Sequence, residues 1–446
     1  MLILLALGIY LTIKTRFFQV FRFKFIFERT VGTLLKRDKR AGHGITPFQA
    51  MTTALAGTMG VGNIAGVATA LVSGGPGAIF WMWAGAFFGM ATKYAEIYLA
   101  VLYRRRDADG RFTGGPMYYM RNGLGENWLA ALFSVLCVLT SLGIGNMAQV
   151  NSVSSSMSSA FTVPPAVSGI LAAGCVALAV FGGVKRIAKI TEAVIPFIAV
   201  IYICFAGTLL YINRGMLTAA LSQIILGAFG VRAAGSGALG YTVSQAVRLG
   251  LSRGVFTNEA GLGSAPMAHA AADTKSPAHQ GAWGVFEVFL DTMVVCTVTA
   301  LVLLTAKGGT LWRSGLNGAL LTSAAFESVF GGLGESFIAL SIVFFAIPSM
   351  LGWCYYGECA MSFLTNGSGG AVNLYRAAFC VCVALGSVIG TEAVWAASDI
   401  LNSLMALPNV AAVFLLSGQV TAPGAEANPQ KRGTRSYPWR SPRQLG

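Results

Sequence analysis

The chain has very little charge. Only 11% of its 446 residues are Asp, Glu, Lys or Arg, and three are His, where a soluble domain carries about 25% charged residues. So little charge cannot cover a water-exposed surface of this size. Cysteine is present but without pattern. Cys137, Cys175, Cys204, Cys296, Cys354, Cys359, Cys380 and Cys382 lie in apolar segments and no CxxC occurs. A metal site or disulfide framework is therefore not expected, and the thiols read as small buried packing residues. HExxH, GxSxG and P-loop motifs are missing, and His43, His269 and His279 are scattered. Gly235 to Gly240 matches GxGxxG, with Glu259 about the right distance beyond. No strand precedes it, so a dinucleotide site is rejected. No enzyme and no organic cofactor are expected. No carbonyl-filter sequence or charged pore ring suggests a channel.

What is there is apolar. Hydrophobic residues make up 55% and the mean hydropathy is +0.66, which excludes intrinsic disorder. The class that remains is an all-α polytopic membrane protein. Its 55 glycines fit, because membrane helices use Gly for close approach and for breaks that line cavities. The net charge of +14 reads as cytoplasmic loops fixing topology. No aromatic-interleaved basic patch points to nucleic acid.

A helical span needs about 20 mostly apolar residues. Leu2 to Ile13 is a short first candidate. Lys14 to Arg40 follows, the densest basic cluster, with Phe17, Phe18, Phe21, Phe23, Phe25 and Phe27 spaced as in a segment lying along the bilayer. This segment is placed in the cytoplasm and the N-terminus outside. Further spans read as about 46–72, 77–102, 127–152, 165–183, 190–212, 255–272, 281–306, 336–364, 373–391 and 392–416, about eleven in all. Alternation then puts Arg104, Arg105, Arg106, Arg111, Lys185, Arg186 and Lys189 inside, with the tail residues Lys431, Arg432, Arg435, Arg440 and Arg443. The organisation expected is 1–45, a first apolar helix and basic segment; 46–212, a five-helix repeat; 213–254, an outer connecting region with Leu217–Gly230 interfacial or re-entrant; 255–416, a second five-helix repeat; and 417–446, a disordered cytoplasmic tail.

The span at 46–72 is uncharged but small and polar, and Gly60-Val61-Gly62-Asn63 sits in its middle. Gly261-Leu262-Gly263-Ser264-Ala265-Pro266 interrupts the span at 255–272 in the same way. Under the topology above, the two segments enter from opposite sides. Paired Gly- or Pro-interrupted helices in inverted repeats point to a secondary transporter site. A helix broken within the membrane frees N–H groups at one new end and C=O groups at the other. The N–H end suits a carboxylate and the carbonyl end a hard cation such as Na⁺. The alternative is that these glycines only permit close packing. That does not account for Asn63, Asn258 and Ser264 beside the breaks.

The segments Gly60–Thr69 and Asn258–Pro266, together with Gly114-Gly115-Pro116-Met117, Leu351-Gly352-Trp353 and Tyr355-Tyr356-Gly357-Glu358, resemble the alanine or glycine:cation symporter family over about 45–415. The resemblance implies a leucine-transporter-like fold, 5+5 inverted repeats plus one extra helix. It also implies uptake of a small neutral amino acid with Na⁺ through a bacterial-type plasma membrane. Pro348 stands where a hydroxyl residue is expected before Ser349, and Val61 where Thr is common.

The candidate substrate residues are Thr58, Gly60, Gly62, Asn63, Asn146, Gln149, Asn258, Gly261, Gly263, Ser264 and Trp353. Asn146 and Gln149 are three apart and are expected to share a helix face, lining the cavity or bonding between helices. Trp353 lies one turn after Ser349 and would wall a pocket of methyl size. The candidate sodium ligands are Gly57, Gly60, Ser349 and Asp291. Glu287 and Asp291, four apart in an apolar span, are expensive there and default to function. Lys93 and Glu96 read as a structural ion pair. A proton-coupled or glutamine-preferring carrier of the same fold is the alternative. An intramembrane enzyme or a channel is the alternative of another class. Oligomeric state stays open.

Overall fold

The computed structural model describes residues 1–34, 44–107, 110–230, 239–274 and 276–422. The tail charges from Lys431 onward, His43, Arg232 and most of the GxGxxG segment lie outside these residues. The helices run α1 (Leu2–Lys14), α2 (Pro47–Thr58), α3 (Ala65–Gly74), α4 (Gly77–Leu102), α5 (Asn127–Phe161), α6 (Pro165–Val180), α7 (Gly183–Ile212) and α8 (Leu217–Ala228). The second half follows with α9 (Leu239–Asn258), α10 (Ala265–Ala270), α11 (Pro277–Val288, continuing through Phe289–Cys296 to Thr297–Thr305), α12 (Gly318–Phe330), α13 (Gly332–Leu364), α14 (Gly369–Gly386) and α15 (Thr391–Leu416). Among the described residues, six helices are each long and apolar enough to cross a bilayer. They are α5, α7, α11, α13, α14 and α15. The other spans are broken, short, or, in α4, carry buried charge.

Local signals set the helix ends. Thr46 and Gln49 form a reciprocal capping box at α2, with Pro47 in its first turn. Ser276 and Ser368 cap α11 and α14. Two π segments, Gly143–Met147 in α5 and Phe289–Cys296 in α11, interrupt long helices, as such segments often do at functional sites.

Packing sorts the helices into two groups. The broken pairs α2/α3 and α9/α10 pack with α4 and α11, while α5 and α13 pack with α6, α14 and α15. At one end, the segments leading into α2 and out of α10 lie side by side. The Asp273 N–H donates to the Ile45 carbonyl at 2.8 Å, and Arg104 donates to the carbonyls of Ala270, Ala272 and Thr274. Burial lowers the Arg104 guanidinium pKa to about 10, which leaves it charged at neutral pH. At the opposite end α8 packs on the start of α4, where the backbones of Gly77 and Gly227 touch.

Three expectations change. The helix expected from 255 begins at Leu239, so a boundary at 254/255 would fall inside α9. Its polar first half is covered on one side only: Ala246 is buried, while Ser244 and Arg248 are exposed. Gly250 lies against Ala78 and Trp81, and Leu249 against Gly74. Residues 417–422, expected as disordered tail, are packed: Lys14 Nζ donates to Ser417 Oγ at 2.9 Å and the Tyr94 hydroxyl to the Thr421 carbonyl at 2.7 Å. The cysteines are all free, but only Cys137, Cys296 and Cys354 are buried, while Cys175 and Cys204 are exposed.

Candidate functional site

The chain leaves α2 at Met59, passes Gly60, makes one 3₁₀ turn over Val61–Asn63 and resumes as α3. The carbonyl of Gly57, at the end of α2, accepts the Ser349 hydroxyl of α13 at 3.1 Å. Gln149 of α5 accepts the Val61 N–H through Oε1 at 3.2 Å. Gly60 fits between these side chains. A Cβ there would stand 2.8 Å from Gln149 Oε1 and 3.0 Å from Ser349 Oγ. Gly57, Gly60, Gln149 and Ser349, far apart in sequence, therefore meet at the first break. The Tyr356 hydroxyl lies against Gly57 and is buried with no partner among the described residues, which is rare for a buried polar atom. Thr58, in contrast, donates to Leu55 in its own helix.

At the second break Glu259, Gly261 and Gly263 hold φ of 54°, 93° and 80°, the left-handed region that favours glycine. The opened backbone is held from outside. Glu96 of α4 accepts the Gly261 N–H at 3.2 Å, and Asn409 of α15 donates both to Glu96 and, at 2.9 Å, to the Gly261 carbonyl. Ser264 donates to Glu259, and Asn258 Oδ1 accepts the Ala260 N–H at 3.0 Å. The missing side chains of Gly261 and Gly263 face Leu4 of α1 and Pro116, away from the first break. These glycines shape the break and do not line the meeting point of Gly60 and Ser349.

The two breaks are joined by a buried chain of hydrogen bonds through α11. Asn63 Nδ2 donates to Asp291 Oδ1 at 2.7 Å, Thr292 Oγ1 donates to Asp291 Oδ2 at 2.8 Å, and Asn258 Nδ2 donates to Thr292 Oγ1 at 3.2 Å. Asn63 Oδ1 stays without a partner among the described residues. Both oxygens of Asp291 are thus engaged by protein, and among the described residues no hydrogen bond joins it to Gly57, Gly60 or Ser349. The set drawn as Gly57, Gly60, Ser349 and Asp291 thus belongs to two hydrogen-bonded groups.

Other expectations shift as well. Lys93 pairs with Glu287 at 3.2 Å and not with Glu96. Glu287 also meets His269 Nε2 at 3.0 Å, and His269 Nδ1 meets Gln280 at 2.7 Å. Glu287 and Asp291 diverge because the π segment begins between them. The same effect separates Asn146 from Gln149. Asn146, within the α5 π segment, donates to the Phe379 carbonyl at 2.7 Å, so it joins α5 to α14 while Gln149 faces the break. Trp353 fills the space left by Gly145 and sits 5.5 Å from the Tyr356 ring. Gly62 faces Phe256 and Thr257 of α9, which makes it a packing contact between the broken helices. Glu96 was expected only as the partner of Lys93, and Thr292 and Asn409 were not singled out from sequence. Their signal was only a lone polar residue in an apolar span.

Among the described residues no group of three or more His, Cys, Asp or Glu gathers. The oxygens at the first break are carbonyl, amide and hydroxyl, donors suited to a hard monovalent cation and not to a transition metal.

Sequence comparison settles the lineage. The profile of the sodium:alanine symporter family matches residues 1–435. The chain belongs to this family. The match extends beyond the stretch 45–415 on which the resemblance rests, so α1 belongs to the shared architecture. Sodium/alanine symporter AgcS of Methanococcus maripaludis is 43% identical over 428 residues, covering 95% of this chain and 92% of that protein. Probable sodium/glutamine symporter GlnT of Bacillus subtilis is 39% identical over 93% of this chain and 84% of its own length. A crystal structure of a manganese transporter from Eremococcus coleocola superposes with a TM-score of 0.55 at 13% identity, covering 85% of this chain and 79% of that one. That likeness is one of fold. As a member of the sodium:alanine symporter family, the protein is a multi-pass membrane transporter. The exposed apolar side chains of α6, α7 and α15, among them Leu171, Leu178, Phe197, Val200 and Leu404, are the surface it presents to lipid.

Proposed function

We propose that the protein carries a small neutral amino acid, alanine or glycine, inward with Na⁺ by alternating access. The observation that carries this reading is the meeting of Gly57, Gly60, Gln149 and Ser349 at the first break. The freed carbonyls at the end of α2 and the Ser349 hydroxyl are the sodium ligands. The turn Val61–Asn63 at the head of α3, with Gln149 beside it, receives the substrate carboxylate at a positive helix end. Asn63 and Asn258, tied together through Asp291 and Thr292, couple the two breaks, so ligand bound at one is felt at the other. Trp353 limits side-chain size. Each ligand favours the closed state, and the membrane potential adds about 2.3 kcal/mol per charge per 100 mV.

The orientation proposed places the N-terminus outside and the end carrying Ile45, Arg104 and Lys185 in the cytoplasm of a bacterial-type plasma membrane. Its support is the clustering of loop Arg and Lys there. The family relationship supports Na⁺ as coupling ion, and the sodium/glutamine relative supports glutamine as the second substrate reading.

Radiolabelled amino acids offered to proteoliposomes test the proposal. The expected result is alanine and glycine accumulation that needs an inward Na⁺ gradient, with counterflow when vesicles are preloaded. Accumulation that follows a pH gradient without Na⁺ would overturn the ion assignment, and uptake of glutamine alone would overturn the substrate.

A further inference from the structure

The basic, Phe-rich stretch after α1 contributes no residue to either break. Residues 16–29 carry Arg16, Arg22, Lys24 and Arg29 against a single carboxylate, Glu28. Arg16 and Phe17 hold φ of 58° and 53°, a left-handed turn that swings the chain off the axis of α1. Two short helices follow, Phe18–Phe21 and Phe23–Arg29. Their inner side is packed on the bundle. Phe18 and Ile26 are buried, and the Phe18 ring sits 4.8 Å from Tyr94 of α4. The Phe23 ring sits 5.4 Å from Phe289, where the π segment of α11 begins. The Arg29 carbonyl accepts from His279 Nε2, in the first turn of α11, at 2.8 Å.

The outer side is bare among the described residues. Phe21 is 78% exposed, Val20 51% and Phe27 46%. Arg16 and Arg22 are exposed beside them. The Lys24 side chain is 91% exposed, with only Glu28 as an ion partner, at 4.0 Å. Water suits these cations and not the rings, and hydrocarbon suits the rings and not the cations. The boundary between lipid headgroups and acyl chains takes both. Headgroups without net charge would leave the basic excess uncompensated, whereas anionic ones supply the counter-charge. A second copy of this chain would set like charge on like, and a nucleic acid would leave the phenylalanines bare.

We propose that this face binds anionic phospholipid of the cytoplasmic leaflet, with Arg16, Arg22 and Lys24 on the headgroups and Phe21 and Phe27 at the acyl boundary. Through Phe23 and the Arg29 carbonyl the seated segment braces α11, which carries Asp291 and Thr292 of the link between the breaks. Anionic lipid therefore raises the maximal transport rate and leaves the substrate requirement unchanged. That consequence rests on the transport reading above; the lipid site itself does not.

Binding is measured on the purified full-length protein in neutral detergent, titrated with fluorescent phosphatidylglycerol and with the matching phosphatidylcholine. The parent is expected to prefer phosphatidylglycerol about tenfold, and Arg16→Gln/Arg22→Gln/Lys24→Gln to reduce that preference about threefold or more. The three side chains are exposed, so the variant should melt at the parent's temperature. Phe21→Ser/Phe27→Ser should weaken the binding of both lipids. Equal binding of the two lipids by the parent, or an unchanged preference in the triple variant, overturns the proposal. Displacement of the lipid by inorganic phosphate or by polyglutamate at equal concentration overturns it too, because the occupant would then be a free anion or an acidic protein segment.

Uptake of labelled alanine into phosphatidylcholine vesicles, with and without about one third phosphatidylglycerol, reads the consequence for transport. The parent's maximal rate should rise about threefold with phosphatidylglycerol while its alanine half-saturation stays within about twofold, and the triple variant should show no rise. A parent that binds phosphatidylglycerol but transports at the same rate without it overturns the coupling through α11. A parent that takes up no neutral amino acid in either lipid overturns the functional reading, and the detergent titration still decides the lipid site.

Discussion

The Ser349 hydroxyl donates to the Gly57 carbonyl at 3.1 Å across 292 residues of sequence. One belongs to the middle of α13 and the other to the last turn of α2. Their contact brings a hydroxyl and a freed helix-end carbonyl to one point, and no single helix supplies both. Pro348, just before Ser349, lies inside a helix that continues through it. The missing hydroxyl at that position therefore changes the number of oxygens available and leaves the placing of Ser349 intact.

If Na⁺ sits at this contact, Ser349→Ala removes one oxygen and leaves the carbonyl. The Na⁺ concentration for half-maximal uptake should rise about tenfold, the equivalent of about 1.4 kcal/mol, with a smaller change in maximal rate. Ser349→Thr keeps the oxygen and should be mild. Na⁺ titrations of uptake in vesicles measure both.

Asp291 gives the contrasting case. Its oxygens already hold Asn63 and Thr292, so Asp291→Asn should lower the maximal rate about tenfold or more by loosening the link between the breaks. Na⁺ half-saturation should stay within about twofold. A large shift in Na⁺ dependence here, with none in Ser349→Ala, would move the ion to Asp291.

Gly60→Ala places a Cβ 2.8 Å from Gln149 Oε1 and 3.0 Å from Ser349 Oγ. Both side chains must move, and with them the proposed ion and carboxylate positions. Uptake should fall below about a tenth of the parent's at near-normal expression. Gly66→Ala, in the helix just beyond, meets nothing within 4 Å and should transport normally. Equal activity in the two variants would remove Gly60 from the site.

Lys93→Met leaves the Glu287 carboxylate buried with, among the described residues, only His269 as an ion partner. Removing one partner of a buried pair costs about 3–5 kcal/mol, so the variant should unfold at a markedly lower temperature in detergent. The double variant Lys93→Met/Glu287→Gln should regain more than half of the loss. If it does not, the pair is not the source of the stability.

Trp353→Ala opens space beside Gly145, where a Cβ would otherwise overlap the indole. The expected outcome is a broader substrate profile that admits leucine, with weaker alanine affinity. A competition panel against alanine uptake reads this directly. An unchanged profile would make Trp353 a packing residue.

The sequence alone determined the class of protein and the location of both breaks. Low charge, high hydropathy and abundant glycine leave only a polytopic membrane fold, and a G-x-G inside a weakly apolar span is a local feature whose consequence, an opened backbone, is also local. It misread what depends on neighbours. The first half of α9 looked too polar to be part of a span, yet from Gln245 to Gly250 one side of the helix packs on α3 and α4 while Ser244 and Arg248 are exposed. The two π segments moved Asn146 away from Gln149 and Glu287 away from Asp291, since spacing of three or four fixes a shared face only in an unbroken α-helix. Glu96 and Lys93, three apart, seemed a pair until α11 and α15 supplied stronger partners for each. Which polar group meets which is set by helix packing across hundreds of residues, so only the tertiary structure decided that Gly57 meets Ser349 and that Asn63 meets Asp291.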